Sequence, residues 1–432
     1  MNAASLPASA HPGGHALALP AASVIGRQNW PLYLFVALIP LQNLYLAHLP
    51  NPGGGLNFVN IMFLLCLATA WHCRGRLVAG TGVNGWVFAY MGLACVSLVV
   101  GFSTVADPSG HVNDLKDQLI AVSFLFLAQM SATDWRSVRR LFWFSLLPIP
   151  WMFWVVLDQS SKVGSDHYSD DLRINGTFIE LGANEMAAFF VTTALVCLAV
   201  ALAVRTGSWK RGILLGMAGL AAACVVLSYS RTAYVAILAG LALVLLLPGN
   251  RARLLVPTLV LAAALPFLIP QAAVERFDAI VIEEGERDES TENRLIYWQV
   301  ALERFAERPL LGTGYHTFHH PEVNPHEIDA HNLYLRELAE KGLPGGIVLA
   351  GLLYVIGRLS WRGFRAARPG TWLAGLTLAM TAVWTALLIG NLTGDRFTHA
   401  PMIAHFWLYV GLTLRALDLT VMDRRRAAES AA

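Results

Sequence analysis

Charged residues are scarce in this chain. Of its 432 residues, 14% are charged and 56% are hydrophobic, and the mean hydropathy is +0.52. Soluble proteins carry about 25% charged residues, so this deficit, with many long apolar runs, predicts a polytopic membrane protein. The 31 Lys and Arg residues nearly balance the 29 Asp and Glu residues, and no basic tract suggests a nucleic-acid partner.

Motifs for disulfides, metals and cofactors are also lacking. The five cysteines have no CxxC or Cys/His ligand spacing and lie in or beside apolar segments, so we expect no disulfide. No Asp-x-Asp sequence is present to hold a divalent cation against a diphosphate. His326 and His331 resemble the zinc motif HExxH, but they are one residue too far apart to share a helical face, although His319 and His320 lie nearby. We therefore predict no metal and no cofactor.

The apolar runs predict an all-α membrane protein with about twelve transmembrane helices and one long outer loop containing short amphipathic helices. The runs are roughly 30–46, 56–72, 85–102, 115–132, 141–157, 184–204, 212–229, 231–247, 254–270, 343–359, 371–390 and 400–419. Residues 1–29 lack the basic start of a signal peptide and are interpreted as a flexible cytoplasmic tail. Helices one to nine then occupy 30–270, the loop 271–342, helices ten to twelve 343–419, and a second cytoplasmic tail 420–432.

The orientation follows from the positive charges between the predicted spans, because Lys and Arg accumulate on the cytoplasmic side. With both termini inside, the inner segments hold eighteen Lys and Arg residues, whereas the short outer loops hold Lys162, Arg173 and Arg396, with Lys116 and Arg231 at span ends. The loop 271–342 is therefore expected outside the cytoplasm.

Two features stand out in the first part of this loop. Residues 283–289 form an acidic stretch, interpreted as a solvated turn. Residues 293–305 carry apolar side chains at helical spacing, which predicts an amphipathic helix on the protein or membrane surface; these are Leu295, Trp298, Leu302 and Phe305. Pro309 and the glycines of 312–314 are expected to end this helix.

His331 is the candidate general base. Asp329 is a plausible N-cap of a helix over 330–341, which would place His331 in its first turn, and Lys341-Gly342 followed by Pro344 marks its end. The positive end of the helix dipole would lower the pKa of His331 and leave a neutral imidazole able to accept a proton. An ordinary loop histidine is the competing interpretation.

Three arginines are candidate phosphate ligands. Arg231 begins a span at its outer end, Arg173 lies in an outer loop that leads to Asn184 and Glu185, and Arg294 lies on the surface helix. A guanidinium group binds phosphate with two parallel hydrogen bonds, and arginine near membrane depth usually has a partner or a task. Snorkelling or ion-paired arginines remain the alternative. An outward-facing enzyme without access to nucleotides needs a donor that is already activated, and a lipid-linked diphosphate suits that need.

The spacing around His331 resembles a signature of the O-antigen ligase family, whose superfamily includes O-antigen polymerases and protein O-oligosaccharyltransferases. The signature is His331-Asn332, nine residues, Gly342, two residues and Gly345. Arg294 with Trp298, the stretch 309–314, Ser230-Arg231 and Arg173 with Asn184 are similar to further landmarks of the superfamily. The resemblance covers about 170–350 and the twelve-span layout.

The resemblance implies a glycosyltransferase of the inner membrane of Gram-negative bacteria, with its active site at the periplasmic face. It would transfer O-antigen from undecaprenyl diphosphate to the lipid A–core oligosaccharide, with inversion at the anomeric carbon and without a metal, amid membrane lipids and no nucleic acid. His331 would act as the base, and Arg173, Arg231 and Arg294 would bind the diphosphate. Weaker candidates for positioning the substrates are Tyr229, Asn332, Tyr334 and Arg336.

Three other functions stay open on the sequence. An O-antigen polymerase usually has two sizeable outer loops, whereas the loop at about 158–183 is short here. A protein O-oligosaccharyltransferase usually has a larger C-terminal region. A transporter of lipid-linked glycans would need charged residues deep inside its spans, which are almost absent, and related halves, of which none is apparent.

The charge asymmetry generates a test of the topology. A cysteine introduced by Ser290→Cys should react with a membrane-impermeant maleimide on intact spheroplasts, because residue 290 is expected outside. Ser208→Cys, in a predicted inner segment, should react only after lysis, and the unsubstituted protein corrects for the native cysteines. Labelling of Ser290→Cys only after lysis would place the loop in the cytoplasm and remove the basis for periplasmic chemistry.

Overall fold

The computed structural model describes residues 28–45, 49, 57–73, 75–163, 174–179, 181–247 and 289–431. Its regular secondary structure within these ranges is helical, which confirms the all-α prediction. The helices are α1 (Trp30–Leu38), α2 (Gln42–Tyr45), α3 (Phe58–His72), α4 (Val83–Gly101), α5 (His111–Ser131), α6 (Trp135–Leu146), α7 (Ile149–Val163), α8 (Ala183–Ala203), α9 (Ser208–Leu227), α10 (Arg231–Leu246), α11 (Glu289–Glu307), α12 (Leu333–Ala366), α13 (Trp372–Gly390) and α14 (Ala400–Glu429), with a 3-10 turn at Ile39–Leu41 between α1 and α2. The predicted span 254–270, Arg173, most of the acidic stretch and nearly all of the N-terminal tail lie outside the described residues.

Six segments among the described residues are long and apolar enough to cross a membrane. They are Val83–Gly101, Trp135–Lys162, Ala183–Ala203, Ser208–Leu227, Leu333–Ala366 and Trp372–Gly390, and shorter apolar helices occur at Trp30–Leu44, Phe58–His72 and Arg231–Leu246. The chain therefore has the character of a multi-pass membrane protein, while the number of twelve spans stays a prediction.

Two of these helices form the centre of the bundle. In α8 and α13, 78% of the most apolar stretch is buried inside the protein, compared with 28% in α4 and α9. The side chains of α8 and α13 therefore pack against other helices on most sides. The helices α4 and α9 instead turn much of their apolar surface outward, as a helix that faces lipid must.

The junction between α9 and α10 is a tight turn, as the sequence predicts. Leu227 ends α9, Arg231 begins α10, and Ser230 is the N-cap residue of α10. Tyr229 between them has φ = 50°, in the left-handed region that non-glycine residues rarely adopt. The turn fixes Arg231 at the first position of α10.

The helix after His331 begins later than we predicted. Its N-cap is Asn332 and not Asp329, because the Asn332 side chain accepts hydrogen bonds from the backbone N–H groups of Tyr334 at 3.0 Å and Leu335 at 3.2 Å. His331 therefore precedes the helix instead of lying in its first turn, and it has φ = 47°. The Asp329 carboxylate accepts a hydrogen bond from the N–H of Ala330 instead.

The break at Gly342 is where the sequence predicts it. Gly342 has φ = 63° and ψ = −160° inside α12, so the segment 333–341 is a separate short helix that meets the following span at a kink. The preceding loop caps this short helix, since Thr313 and Gly314 donate backbone N–H bonds to the carbonyls of Ala339 and Glu340 at 2.9 and 2.8 Å.

A glycine is required at position 314. A Cβ atom there would lie 2.2 Å from the Cα atom of Gly101, so only glycine lets this loop pass over the end of α4. The loop 309–314 thereby joins α4 to the end of the short helix.

The amphipathic helix α11 is longer than the predicted 293–305, and its contacts differ from the expected apolar face. Tyr297 and Ala301 are buried against the protein, whereas Leu295 and Leu302 are about half exposed. Trp298 is half-buried and donates its indole N–H to the carbonyl of Ala330 at 3.1 Å. The helix therefore lies on the protein with one face and leaves apolar side chains on the other.

Candidate functional site

Hydrogen bonds fix the backbone on both sides of His331. The indole of Trp298 in α11 holds the carbonyl of Ala330, the residue before it. The N–H of Leu333, two residues after it, contacts the carbonyls of Asn391 and Gly394, each at 3.1 Å. The side chain of His331 is exposed while its neighbours Ala330 and Asn332 are buried. A left-handed conformation costs about 1–3 kcal/mol and persists where surrounding contacts enforce it, often at functional sites.

The loop between α13 and α14, residues 391–399, organises the site. Besides receiving Leu333, it contacts α10 through the hydroxyls of Thr393 and Thr232, which are 2.5 Å apart. Its own turn is closed by the side chain of Asn391, which accepts a hydrogen bond from the N–H of Arg396 at 2.9 Å. The loop thus joins the His331 helix to the helices of the bundle.

A further link is a buried ion pair between Arg336 and Asp395. Both side chains are almost fully buried, and the guanidinium group of Arg336 also lies 3.9 Å from carboxylate oxygens of Asp329 and Glu340. The Asp395 carboxylate accepts a hydrogen bond from the N–H of Phe397 at 2.9 Å. Arg336 is therefore held in the protein interior by its ion pair. Its partner Asp395 was not identified from the sequence.

A second ion pair, between Arg396 and Glu185, connects the same loop to the start of α8. We expected Arg396 only as one of few charges in the outer loops and did not assign it to the site. Glu185 follows Asn184, whose side-chain oxygen accepts a hydrogen bond from the hydroxyl of Ser230 at 2.8 Å. Through Asn184 and Ser230, Arg396 is thus linked to the turn that carries Arg231.

A narrow cleft with an internal volume of about 20 Å³ lies between α8, α10 and α13 beside this turn. Its walls are mostly apolar, and its polar lining residues are Asn184, Thr192, Ser230, Thr232 and Arg396. Arg231 lies between the two lining residues Ser230 and Thr232. The arrangement places a narrow apolar cleft beside both the turn that carries Arg231 and the Arg396–Glu185 ion pair.

The pKa of His331 is lowered, as we predicted, but for a different reason. The main cause is that surrounding protein atoms partly remove the ring from water, which disfavours its charged form. The negative charge of Asp329 opposes this shift, and the positive charge of Arg294 adds to it. The imidazole is therefore neutral at pH 7, and Arg294 is one of the charges that act on it.

The remaining predicted residues have structural contacts or lie outside the described ranges. Tyr334 donates its hydroxyl to the carbonyl of Leu388 at 2.9 Å, and the Asn332 side chain caps the helix. Both hold the His331 segment in place. Tyr229 is buried in the turn before Arg231, and Arg173 is not among the described residues.

His399, the N-cap residue of α14, is a second histidine near these groups that the sequence did not single out. Its pKa is lowered by burial, against the opposing charges of Glu185 and Asp395. In the sequence, only the position of His399 after a short loop could have indicated it as a candidate site residue.

Residues 216–350 match the family model described as O-antigen ligase. The matched segment is thus similar to the O-antigen ligase family. No curated protein matches the chain. The matched segment includes Arg231, Arg294, His331 and Arg336, whereas Glu185, Asp395 and Arg396 come from helices and loops on either side of it. The site geometry therefore depends on parts of the chain beyond the matched segment.

The Arg336–Asp395 pair generates a prediction about stability. Asp395→Asn keeps the shape of the side chain but leaves a buried guanidinium group without its main counter-charge, which should cost about 3–5 kcal/mol. The double variant Arg336→Met/Asp395→Asn should recover part of this loss, because it removes both charges. The measurement is thermal unfolding of the purified protein in detergent.

Arg304→Met is the matched control, because Arg304 pairs with Glu307 at a more exposed position on α11. It should change the free energy of unfolding by less than about 1 kcal/mol. If the losses of Arg336→Met and Asp395→Asn simply add in the double variant, the two residues are not coupled and the pair does not hold the loop.

Proposed function

We propose that the chain is an O-antigen ligase. It transfers O-antigen polysaccharide from undecaprenyl diphosphate to the lipid A–core oligosaccharide at the periplasmic face of the inner membrane of a Gram-negative bacterium. The family match supports a glycosyl-transferring enzyme of the O-antigen ligase and polymerase kind. The observation that carries the finer proposal is the neutral, exposed His331, held by α11 and by the loop 391–399 close to Arg294 and Arg396.

His331 acts as general base in this proposal. A neutral ring nitrogen accepts the proton of an acceptor sugar hydroxyl as its oxygen attacks the anomeric carbon of the donor. The bond between that carbon and the diphosphate oxygen breaks, and undecaprenyl diphosphate leaves with the electron pair. A single displacement of this kind inverts the anomeric carbon. It needs no metal, because arginines can stabilise the charge on the leaving group.

The arginines bind the diphosphate. Arg231 lies at the N-terminus of α10, where backbone N–H groups and the helix dipole also favour an anion. Arg294 approaches from α11, and Arg173 belongs to the outer loop before α8. Arg396 is already paired with Glu185, so its part is to hold the start of α8 against the loop 391–399.

The alternatives predict different products. An O-antigen polymerase would join repeat units on the lipid carrier, a protein O-oligosaccharyltransferase would use a protein hydroxyl as acceptor, and a transporter would catalyse no transfer. The buried charges described above lie near the ends of the helices around the site, which supports chemistry at the membrane surface over transport through the membrane.

A deletion strain tests the proposal. Extracted lipopolysaccharide should lose its long chains while lipid-linked polymer accumulates, because a ligase acts after polymerisation. Expression of the intact chain should restore the long chains. Core that carries a single repeat unit would instead identify a polymerase, and unchanged lipopolysaccharide would exclude both functions.

The His331→Asn variant tests the mechanism. Asparagine tolerates the left-handed conformation better than alanine, so this substitution removes the base with less backbone strain. Donor binding and thermal stability should be kept, while turnover falls by about 10²–10⁴. In the intact enzyme, turnover should fall as the pH drops through a midpoint below about 6.5, since protonation at low pH removes the base.

His326→Asn is the control in the same loop, because the His326 ring packs against Tyr297 of α11. It should keep normal turnover. His399→Asn tests the second histidine near the site: a larger loss of turnover there than in His331→Asn would move the base to α14. Loss of donor binding in a folded His331→Asn variant would assign His331 to the diphosphate site instead.

A further inference from the structure

Four histidines from distant parts of the sequence meet on the side of the structure that carries the loop before His331. His111 is the first residue of α5, and the others lie in the loop 315–320, in which Tyr315 is followed by His316, His319 and His320. Ring nitrogens of His111, His319 and His320 all lie within 4.8 Å of one another. The Nε2 atoms of His111 and His320 are 2.8 Å apart. We call His111, His319 and His320 the histidine cluster.

These separations suit a transition metal. Zinc binds imidazole nitrogen at about 2.0–2.1 Å, so two nitrogens in a tetrahedral site lie roughly 3.3–3.4 Å apart. The separation of His111 and His320 is slightly below this value, and 4.8 Å is the upper limit for the others. Small side-chain rotations therefore bring three nitrogens to one ion, with the fourth position left for water or for His316.

The second layer of contacts resembles the surroundings of a metal site. The Asp114 carboxylate, one turn after His111 on α5, lies 3.1 Å from Nδ1 of His316. The ring centroids of His316 and His319 are in turn 4.5 Å apart. Carboxylates near metal-binding histidines orient the rings and add negative charge that offsets the charge of the cation.

One property of the rings fits metal binding better than a purely structural role. The Nδ1 atom of His111 is buried without a hydrogen-bond partner among the described residues, so hydrogen bonds do not fully account for this ring.

The backbone around the histidine cluster is already fixed. The N–H of Tyr315 bonds to the carbonyl of Ser97 in α4 at 3.0 Å. The Glu340 carboxylate accepts hydrogen bonds from the N–H groups of His316 at 3.0 Å and Phe318 at 3.2 Å. A bound ion would therefore join α5 to a loop that is already attached to the His331 helix.

We propose that His111, His319 and His320 form a binding site for Zn²⁺ that fastens α5 to the loop 315–320. The site is structural, and the glycosyl transfer runs without the ion as an electrophile. From the sequence we expected no metal, because the histidines considered there lie in one stretch of sequence. His111 is far from that stretch and could not be included. His326 and His331 are outside the histidine cluster, in agreement with their unsuitable spacing.

Metal content of the purified full chain tests the site, with an affinity tag that contains no histidine. Protein stripped with a chelator and exchanged into Zn²⁺ should retain about one zinc per chain. His111→Ala, His319→Ala and His320→Ala should each lose most of it, whereas His326→Ala should retain it. Cobalt substitution should give the intense visible absorption of a tetrahedral nitrogen site in the intact protein and in His326→Ala. The three variants of the histidine cluster should lack this absorption.

Thermal unfolding of the intact protein provides a measurement that needs no variant. Stripped protein should unfold at a lower temperature and regain stability as Zn²⁺ is added, because a ligand that binds only the folded state stabilises it. Less than half a zinc per chain at saturating Zn²⁺, or zinc retained in all three histidine-cluster variants, would overturn the proposal. Since neither measurement involves transfer, the zinc site and the proposed ligase activity fail independently.

Discussion

The site depends on burying the charges of Arg336 and Asp395 together. Removing an ion from water costs several kcal/mol, and only close pairing with further hydrogen bonds offsets that cost. Here Asp395 also accepts the N–H of Phe397, and Arg336 faces the additional carboxylates of Asp329 and Glu340. The pair is therefore satisfied only when the short helix 333–341 and the loop 391–399 are docked. Such a contact selects one geometry, whatever its net contribution to stability.

That docking determines where His331 lies. Loop 391–399 receives the N–H of Leu333 and reaches α8 through Arg396 and α10 through Thr393. One short loop thus sets the positions of His331, Glu185 and the turn before Arg231 relative to one another. The candidate side chains from widely separated parts of the sequence are thereby held in one arrangement.

The sequence predicted the local features of the site better than its assembly. The His331–Gly345 spacing, the break at Gly342 and the tight turn before Arg231 each follow from a few neighbouring residues. Asp395, Arg396 and Glu185 could not be predicted, because their partners are far away in sequence and each looks like an ordinary loop charge. The N-cap was assigned wrongly because Asp329 and Asn332 are both good capping residues, and only tertiary contacts decide between them.

The corrected helix boundary changes the argument for His331. Within a first helical turn, its side chain would follow the helix direction, and the dipole would set its pKa. His331 instead precedes the N-cap residue in a left-handed backbone conformation, and its side chain is exposed. Hydrogen bonds of the neighbouring residues Ala330 and Leu333 fix the backbone on both sides. The position of the ring is then set by tertiary contacts from α11 and from the loop 391–399. The general base that we propose here would have to meet a large glycan acceptor, and an exposed ring on a rigid backbone suits that role.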